Sequence, residues 1–458
     1  MSSTSLPRRA RPGRFLTIFP LTLALAACAT TEFTRPTPDL AGSFAASAPG
    51  RSASGAWWQS FRDPTLDGLI RQGLSRNLSI QEAIAAIDAA EAAAQITRAA
   101  DLPGVSAGAN ASRAESTQGG ITESTSATLS TSWMIDIFGG NRAARAAAVA
   151  EWEAAKLSQE VARRTVAAAV TSAYIDLRFY QESIALTRQS ITSRQETLNL
   201  TRDMVEVGQA SRLDQLQAEQ AVAQAQASLP ALEIGFDRSL NRLASLVNSR
   251  SATLRPQLQK GASQPSARFK PSVGLPADVI RARPDVAIAE KGLAAAAARV
   301  GVAEAAFWPS VTLSGSITPA NIRGGANPTS WAIGPQINLP IFTGGANKAR
   351  LSAAEANAVQ AELKWRGSVL NAVEEVENGL SAWNRGASNV AAQRRLVANA
   401  QETVSLAREA WGSGQTDFFT VLDAERNLLS ARSALAGAVR DLAAGYVSLS
   451  VAAGSPLQ

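Results

Sequence analysis

A chain of 458 residues with no histidine and a single cysteine cannot build a histidine-based triad, a common zinc site or an intrachain disulfide. Its formal charge of +6 points first to an acidic partner, but Arg8, Arg9, Arg11 and Arg14 all precede Cys28 in a stretch without an acid, leaving 40 basic against 38 acidic groups beyond it. With no clustered basic face in that remainder, a nucleic-acid partner is not expected.

The early arginines precede an apolar run from Phe15 to Ala26, too short to span a bilayer as a helix, so residues 1–27 read as a secretory signal. It ends at Leu25-Ala26-Ala27-Cys28, which resembles a bacterial lipobox. The resemblance implies that Cys28 becomes a lipidated N-terminus carrying covalent diacylglycerol and an N-acyl chain such as palmitate, making this a lipoprotein; Ala29 after it implies export to the outer membrane. An ordinary secretory signal with an incidental cysteine is the alternative. Residues 28–62 read as lipid anchor and extended tether, rich in Pro, Ser, Thr, Ala and Gly.

Helical spacing runs from Asp63, an N-cap followed by Pro64, to about Ala100. Residues 103–138 then alternate as a β-hairpin with its turn near Gly119-Gly120: Leu129, Thr131, Trp133 and Ile135 on one face, Thr128, Ser130, Ser132 and Met134 on the other. After Gly139-Gly140 comes a helix of about 60 residues, roughly 90–100 Å long, ending at Gly208-Gln209, and a return helix over 210–249 that Pro230 is predicted to kink or interrupt. Residues 250–274 read as a surface linker in an equatorial region. The plan then recurs: a helix over 275–306, a β-hairpin over 309–342 with Val311, Leu313, Gly315 and Ile317 on one face, a long helix from Gly344-Gly345 to Gly414-Gln415, and a return over 416–453.

The recurrence has a fixed offset. Val170, Leu177, Ile184, Ile191, Leu198 and Val205 form an apolar ladder at seven-residue spacing, and Val376, Trp383, Val390, Val397, Val404 and Trp411 repeat it at an offset of 206. Val222, Leu229, Phe236 and Leu243 recur as Leu428, Leu435, Leu442 and Leu449 at the same offset. A sustained seven-residue seam demands coiled-coil packing. The chain thus reads as two copies of one unit, over 63–249 and 275–458, in an α+β fold of long coiled-coil hairpins with two β-hairpins. Strands apolar on one face and small and polar on the other fit membrane-barrel strands, which need about 9–11 residues to cross; a soluble hairpin half-buried on a helix alternates in the same way. If the strands lie in a membrane, four are too few to close, so the chain must oligomerise, and three copies supply twelve.

The segments Trp57-Trp58-Gln59-Ser60-Phe61-Arg62-Asp63-Pro64-Thr65-Leu66, Leu275 to Glu290 around Arg283-Pro284-Asp285, the Gly-Gln tips, Leu216-Gln217-Ala218-Glu219 and Leu422-Asp423-Ala424-Glu425 resemble the TolC-type outer-membrane factors, particularly the NodT-like lipidated subunits that serve RND efflux pumps. The resemblance covers nearly all of the mature chain. It implies a homotrimer with a twelve-stranded transmembrane β-barrel in the outer membrane and a periplasmic α-barrel, passively conducting drugs or other small solutes from an inner-membrane RND-type pump through a periplasmic adaptor, or membrane fusion, protein. It also implies a periplasmic gate of acidic rings, one at Asp423; the acidic neighbour usual in the family is Thr420 here, and Asp214, at the place equivalent to Thr420, supplies the second ring. Adaptor docking is implied at Gly208, Gln209, Gly414 and Gln415, with Arg212 and Asp417 locking neighbouring tips. Trp133, Trp308 and Trp331 read either as a barrel girdle or as packing beside the barrel; each aspartate also reads as an ordinary helix-face charge, and each tip glycine as a C-cap. No cofactor, metal site or catalytic residue is expected, for neither a P-loop nor a G-x-S-x-G nucleophile elbow is read. A periplasmic coiled-coil scaffold or adaptor lipoprotein without a pore is the alternative, and a surface fibre a more distant one.

Overall fold

The offset between the two ladders recurs element by element. Three helices of the second repeat begin and end at that same offset from their counterparts: α2 (Leu78–Ala99) and α7 (Pro284–Ala305), α3 (Gly140–Glu206) and α8 (Ala346–Gly412), α4 (Arg212–Leu246) and α9 (Phe418–Ala452). The computed structural model describes residues 37, 42–45, 56–115, 120–267, 273, 276–455 and 457. The signal segment, Cys28, most of the tether, Gly119 and part of the linker lie outside the described residues. The chain divides into two compact units.

The first unit holds Ile96–Ala147 and Ala296–Ala356, and its centre is one antiparallel sheet in the order β1-β2-β3-β4. Strand β1 (Gly104–Glu115) pairs with β2 (Ile121–Ile135), and β3 (Ser310–Ile322) with β4 (Thr329–Asn338), each within one repeat. The β2–β3 ladder joins the repeats, Trp133 standing opposite Leu313 and Leu129 opposite Ile317. A soluble hairpin would turn its apolar face inward; here Val105, Leu129, Ile317, Trp331, Ile333 and Ile337 are exposed, Trp331 to 73%. The half-buried-hairpin alternative therefore does not describe this sheet. Among the described residues no helix is long and apolar enough to cross a membrane.

The second unit is helical: Pro36–Gln95, Ala148–Ala295 and Asn357–Gln458. Every position of the four apolar ladders is at least partly buried. Val170 and Leu177 of α3, Leu243 of α4, Val376 of α8 and Leu449 of α9 join one core with Leu66, Leu69 and Ile70 of α1 (Pro64–Arg76), so both repeats contribute to it. Asp63 caps α1 as expected, its Oδ1 accepting from the Thr65 amide at 2.9 Å, while Tyr174 Oη donates to its Oδ2 at 2.5 Å.

Several expectations need correction. The tether ends earlier than 62: Trp57–Phe61 form a 3-10 helix whose Trp57, Trp58 and Phe61 are buried. Tyr446 Oη of α9 donates to the Trp57 carbonyl at 3.0 Å, and the Phe61 ring lies 5.3 Å from the Tyr446 ring. The 250–274 linker contains α5 (Ser251–Leu258), with Leu254 and Leu258 in the core. Pro230 does not interrupt α4. It and Gln226, the residue whose carbonyl loses an amide partner, are exposed, so water can bond that oxygen. The helix expected over 63–100 is two, broken at Asn77 with ψ 133°, and the one over 275–306 breaks between α6 (Pro276–Arg281) and α7.

The breaks are equivalent in the duplication. Asn77 Nδ2 donates to the Leu246 carbonyl at 2.8 Å, and Arg283 Nη1 to the Ala452 carbonyl at 3.1 Å; the two donors, like the two acceptors, are related by the repeat offset. Each broken helix thus satisfies an orphan carbonyl at the end of its own repeat's return helix.

Candidate functional site

The two tips are built alike. Gly208 (φ +75°) and Gly414 (φ +71°) occupy the left-handed region after α3 and α8. Gln209 N then donates to the Met204 carbonyl, and Gln415 N to the Ala410 carbonyl, both at 2.8 Å. This is Schellman closure, and it needs glycine because a Cβ is strained at that φ.

Both return helices are capped by a side chain, the first of them reciprocally. In the first repeat Ser211 is the N-cap: the Asp214 amide donates to its Oγ at 3.1 Å, and Ser211 N donates to Asp214 Oδ2 at 2.8 Å. In the second, Asp417 is the N-cap and Thr420 stands where Asp214 does; Thr420 N and Oγ1 donate to Asp417 Oδ1 at 3.0 and 2.7 Å. Those bonds hold the Asp417 carboxyl below the usual aspartate range. Carboxylate and hydroxyl have exchanged places. Arg212 opens α4, and its charge is among those that keep Glu219 ionised, after the 3.1 Å pair from Arg202 and the Gln215 bond.

Asp423 stands one turn into α9, paired to Arg426 and accepting from Asn427 Nδ2 at 2.9 Å. With Thr420, Phe419, Leu396 and Thr403 it lines an open groove of about 670 Å³ between α8 and α9. Thr420 and Asp423 therefore share one face, whereas Asp214 is engaged in its own cap. Beneath both tips Leu198, Val222, Val404, Trp411, Phe418 and Val421 form a joint apolar cluster.

In the sheet unit, Trp133 Nε1 donates to the Asp101 carbonyl at 2.9 Å, and Trp308 stacks on Phe138 at 5.4 Å. Trp331 pairs with Ile317, nine positions beyond Trp308. That is about 30 Å along a strand, or ~23 Å along the axis of strands tilted by ~40°.

Sequence reasoning missed a buried polar group beside the tips: Arg408 Nη2 donates to Glu425 Oε1 at 2.5 Å, and Thr197 Oγ1 to the same oxygen at 2.9 Å. The signal was present, since Arg194 lies between Ile191 and Leu198 on the buried side of the α3 ladder. It also missed that Gly104-Val105-Ser106-Ala107-Gly108 spells G-x-S-x-G. That segment lies inside β1, where Ser106 Oγ is 2.8 Å from Ser130 Oγ, and not on the strand-to-helix turn a nucleophile elbow requires. Among the described residues no group of three or more Asp, Glu, Cys or His is placed to hold a metal ion.

The family model for outer membrane efflux protein matches residues 69–249 and again 275–455, one match per repeat. The chain belongs to this family. It is 38% identical over 426 residues to nodulation protein T of Rhizobium leguminosarum bv. viciae, covering 91% of this chain and 87% of that one. To the probable efflux pump outer membrane protein TtgC of Pseudomonas putida it is 35% identical over 404 residues, with 84% and 82% covered. Among solved structures, the outer-membrane channel OprN superposes with a TM-score of 0.87 at 29% identity, over 94% of this chain and 99% of that one. Such efflux proteins are channel components of the outer membrane rather than enzymes, and the pore-less scaffold alternative is not favoured.

Proposed function

We propose that three copies of this chain close edge to edge into the passive outer-membrane exit duct of a tripartite efflux system for drugs or other small solutes. The observation that carries this is the sheet: an apolar face turned to solvent, and outer strands β1 and β4 that each have one neighbour. Their directions are opposite, so β4 of one copy and β1 of the next extend the same antiparallel meander, and three copies give the closed twelve-stranded ring that a bilayer demands. The girdle reading of Trp308 and Trp331 fits that ring, their separation matching an apolar band ~25 Å tall.

In this reading an inner-membrane RND-type pump supplies the energy, and a periplasmic adaptor docks at Gly208-Gln209 and Gly414-Gln415, with Arg212 and Asp417 contacting neighbouring tips. The Asp423 face of the α8–α9 groove forms the periplasmic constriction, and no catalytic step is assigned to the chain. Lipid on Cys28 anchors it. Labelled palmitate should enter the wild type and not Cys28→Ser.

The deciding experiment is crosslinked mass and planar-bilayer conductance of the protein purified from the outer-membrane fraction. A conducting trimer is expected. A trimer that never conducts under any voltage or after tip mutation would return the pore-less scaffold to first place.

A further inference from the structure

The two outer strands of the sheet are not equivalent edges. In an antiparallel ladder alternate residues bond the same neighbour, and those between them turn their N–H and C=O to the other side. Ala320 N donates to the Pro328 carbonyl at 2.9 Å, and the register runs unbroken from there to Ser310↔Asn338. The even-numbered residues of β4 therefore bond β3, and the odd-numbered ones, Pro335 among them, face the open edge. Proline has no N–H, so this edge withholds one donor. Strand β1 holds no proline and withholds none.

A second proline in the sheet supplies an internal comparison. Arg323 N donates to the Glu123 carbonyl at 2.9 Å, so by the same alternation the odd-numbered residues of β3, Pro319 among them, bond β2. The β2–β3 register is interrupted there, between Ser126↔Ala320 and Leu129↔Ile317, and Thr128 Oγ1 lies 3.1 Å from Thr318 Oγ1 across the gap. Pro319 thus weakens a contact within the chain, whereas Pro335 weakens only a contact with another chain. Pro335 stands opposite Leu313, about midway between the levels of Trp308 and Trp331, where lipid cannot replace a missing ladder bond. Gly334 beside it lies on the face away from Trp331, and a Cβ there would meet nothing within 4 Å, so the duct side of the gap is open to water.

Joining β4 of one copy to β1 of the next is a head-to-tail contact, which makes open runs as well as rings. We propose that Pro335 is an edge guard: it weakens each β4–β1 seam by one bond, so that lasting pairing with a second copy is confined to the closed ring of three. This rests on the channel reading above. In a ring every copy is held at both edges and tolerates one weak bond per seam. In an open run the end copies are held at one edge only and are lost.

Full-length wild type, Pro335→Val, Pro319→Val and Ile333→Pro are extracted from membranes in mild detergent. Sedimentation gives the share of chains in species larger than a trimer, and heating gives the temperature at which trimers come apart. Pro335→Val restores a donor to the open edge and keeps an apolar side chain on that face. It should raise the share of larger species about fivefold, the scale of one net hydrogen bond, while its trimers come apart at a higher temperature. Pro319→Val should leave the share unchanged. Ile333→Pro removes a second donor from the same edge and no bond within the chain, so it should lower the temperature without producing larger species. A wild-type size distribution in Pro335→Val, or an equal rise in Pro319→Val, overturns the guard. If Pro335→Val does not reach the membrane, Ile333→Pro decides, and unchanged heat resistance in it overturns the guard. Monomers from every variant, wild type included, overturn the channel reading itself.

Discussion

At the scale of single residues, the two N-caps show what a duplicated structure preserves. Ser211 with Asp214 and Asp417 with Thr420 carry the same two functional groups in opposite order, and each pair satisfies a first-turn amide. Exchanging the second pair, Asp417→Ser with Thr420→Asp, should leave the tip folded, whereas Asp417→Ala alone should raise hydrogen exchange at the Thr420 amide. Because the folded Asp417 pKa is lowered, its contribution is complete above the ordinary aspartate range and fades as pH falls through the depressed value. Protection of the Thr420 amide, its exchange divided into the intrinsic rate at each pH, should therefore fall on acidification in the wild type and change less in Asp417→Asn, which caps without titrating. Gly235 offers a sharper test: a Cβ there would sit 2.2 Å from the Tyr180 ring, while at Gly437 it meets nothing within 4 Å. Gly235→Ala should destabilise by about 1–3 kcal/mol or more through overpacking, and Gly437→Ala should stabilise by up to ~1 kcal/mol. Thermal unfolding of the two variants checks both signs.

Elements were legible in the sequence wherever one periodicity ran without interruption. The ladders located α3, α8, α4 and α9, and alternation located the strands, because burial on one side leaves a regular imprint. The break at Asn77 was not legible: Leu74 and Leu78 keep helical spacing across it, and the cause of the break is a bond to Leu246, 169 residues away. The polar group around Glu425 was signalled only by Arg194 on the buried side of the α3 ladder, and its bond to Thr197 was not legible for the same reason, since Thr197 belongs to the other repeat. The break makes its own prediction. Asn77→Ala leaves the buried Leu246 carbonyl without its donor and should cost about 1–3 kcal/mol, read as a lower unfolding midpoint. At the equivalent break Arg283 also bonds Asp285 at 2.7 Å and Glu375 at 2.6 Å. Burial pushes Asp285 up, but the Arg283 bonds outweigh it and hold the carboxyl below its usual range. That contribution is present at neutral pH and disappears as acid protonates Asp285 through the depressed value. Acid should thus loosen the second break and spare the first, where Asn77 cannot titrate.

For the whole molecule, the main helical core mixes Leu66, Val170 and Leu243 with Val376, Tyr446 and Leu449, and the second repeat keeps to itself only a smaller cluster of Ile280, Val286, Trp365, Val369 and Ala372 among the described residues. Residues 63–249 and 275–455 expressed separately should show reduced, non-cooperative helical content by circular dichroism and recover on mixing. The β2–β3 ladder imposes a further consequence, one of timing. Its partners, from Ile135↔Val311 to Ser124↔Ile322, are separated by nearly a whole repeat of chain. At about 5–20 residues per second of synthesis, the inner edge of the β1–β2 hairpin waits ~10–40 s before its neighbour exists. An open edge of that duration invites pairing with other chains. Productive folding therefore depends on holding the inner edge of the first hairpin unpaired until β3 has arrived, with only α8 and α9 of the second repeat still to follow the sheet.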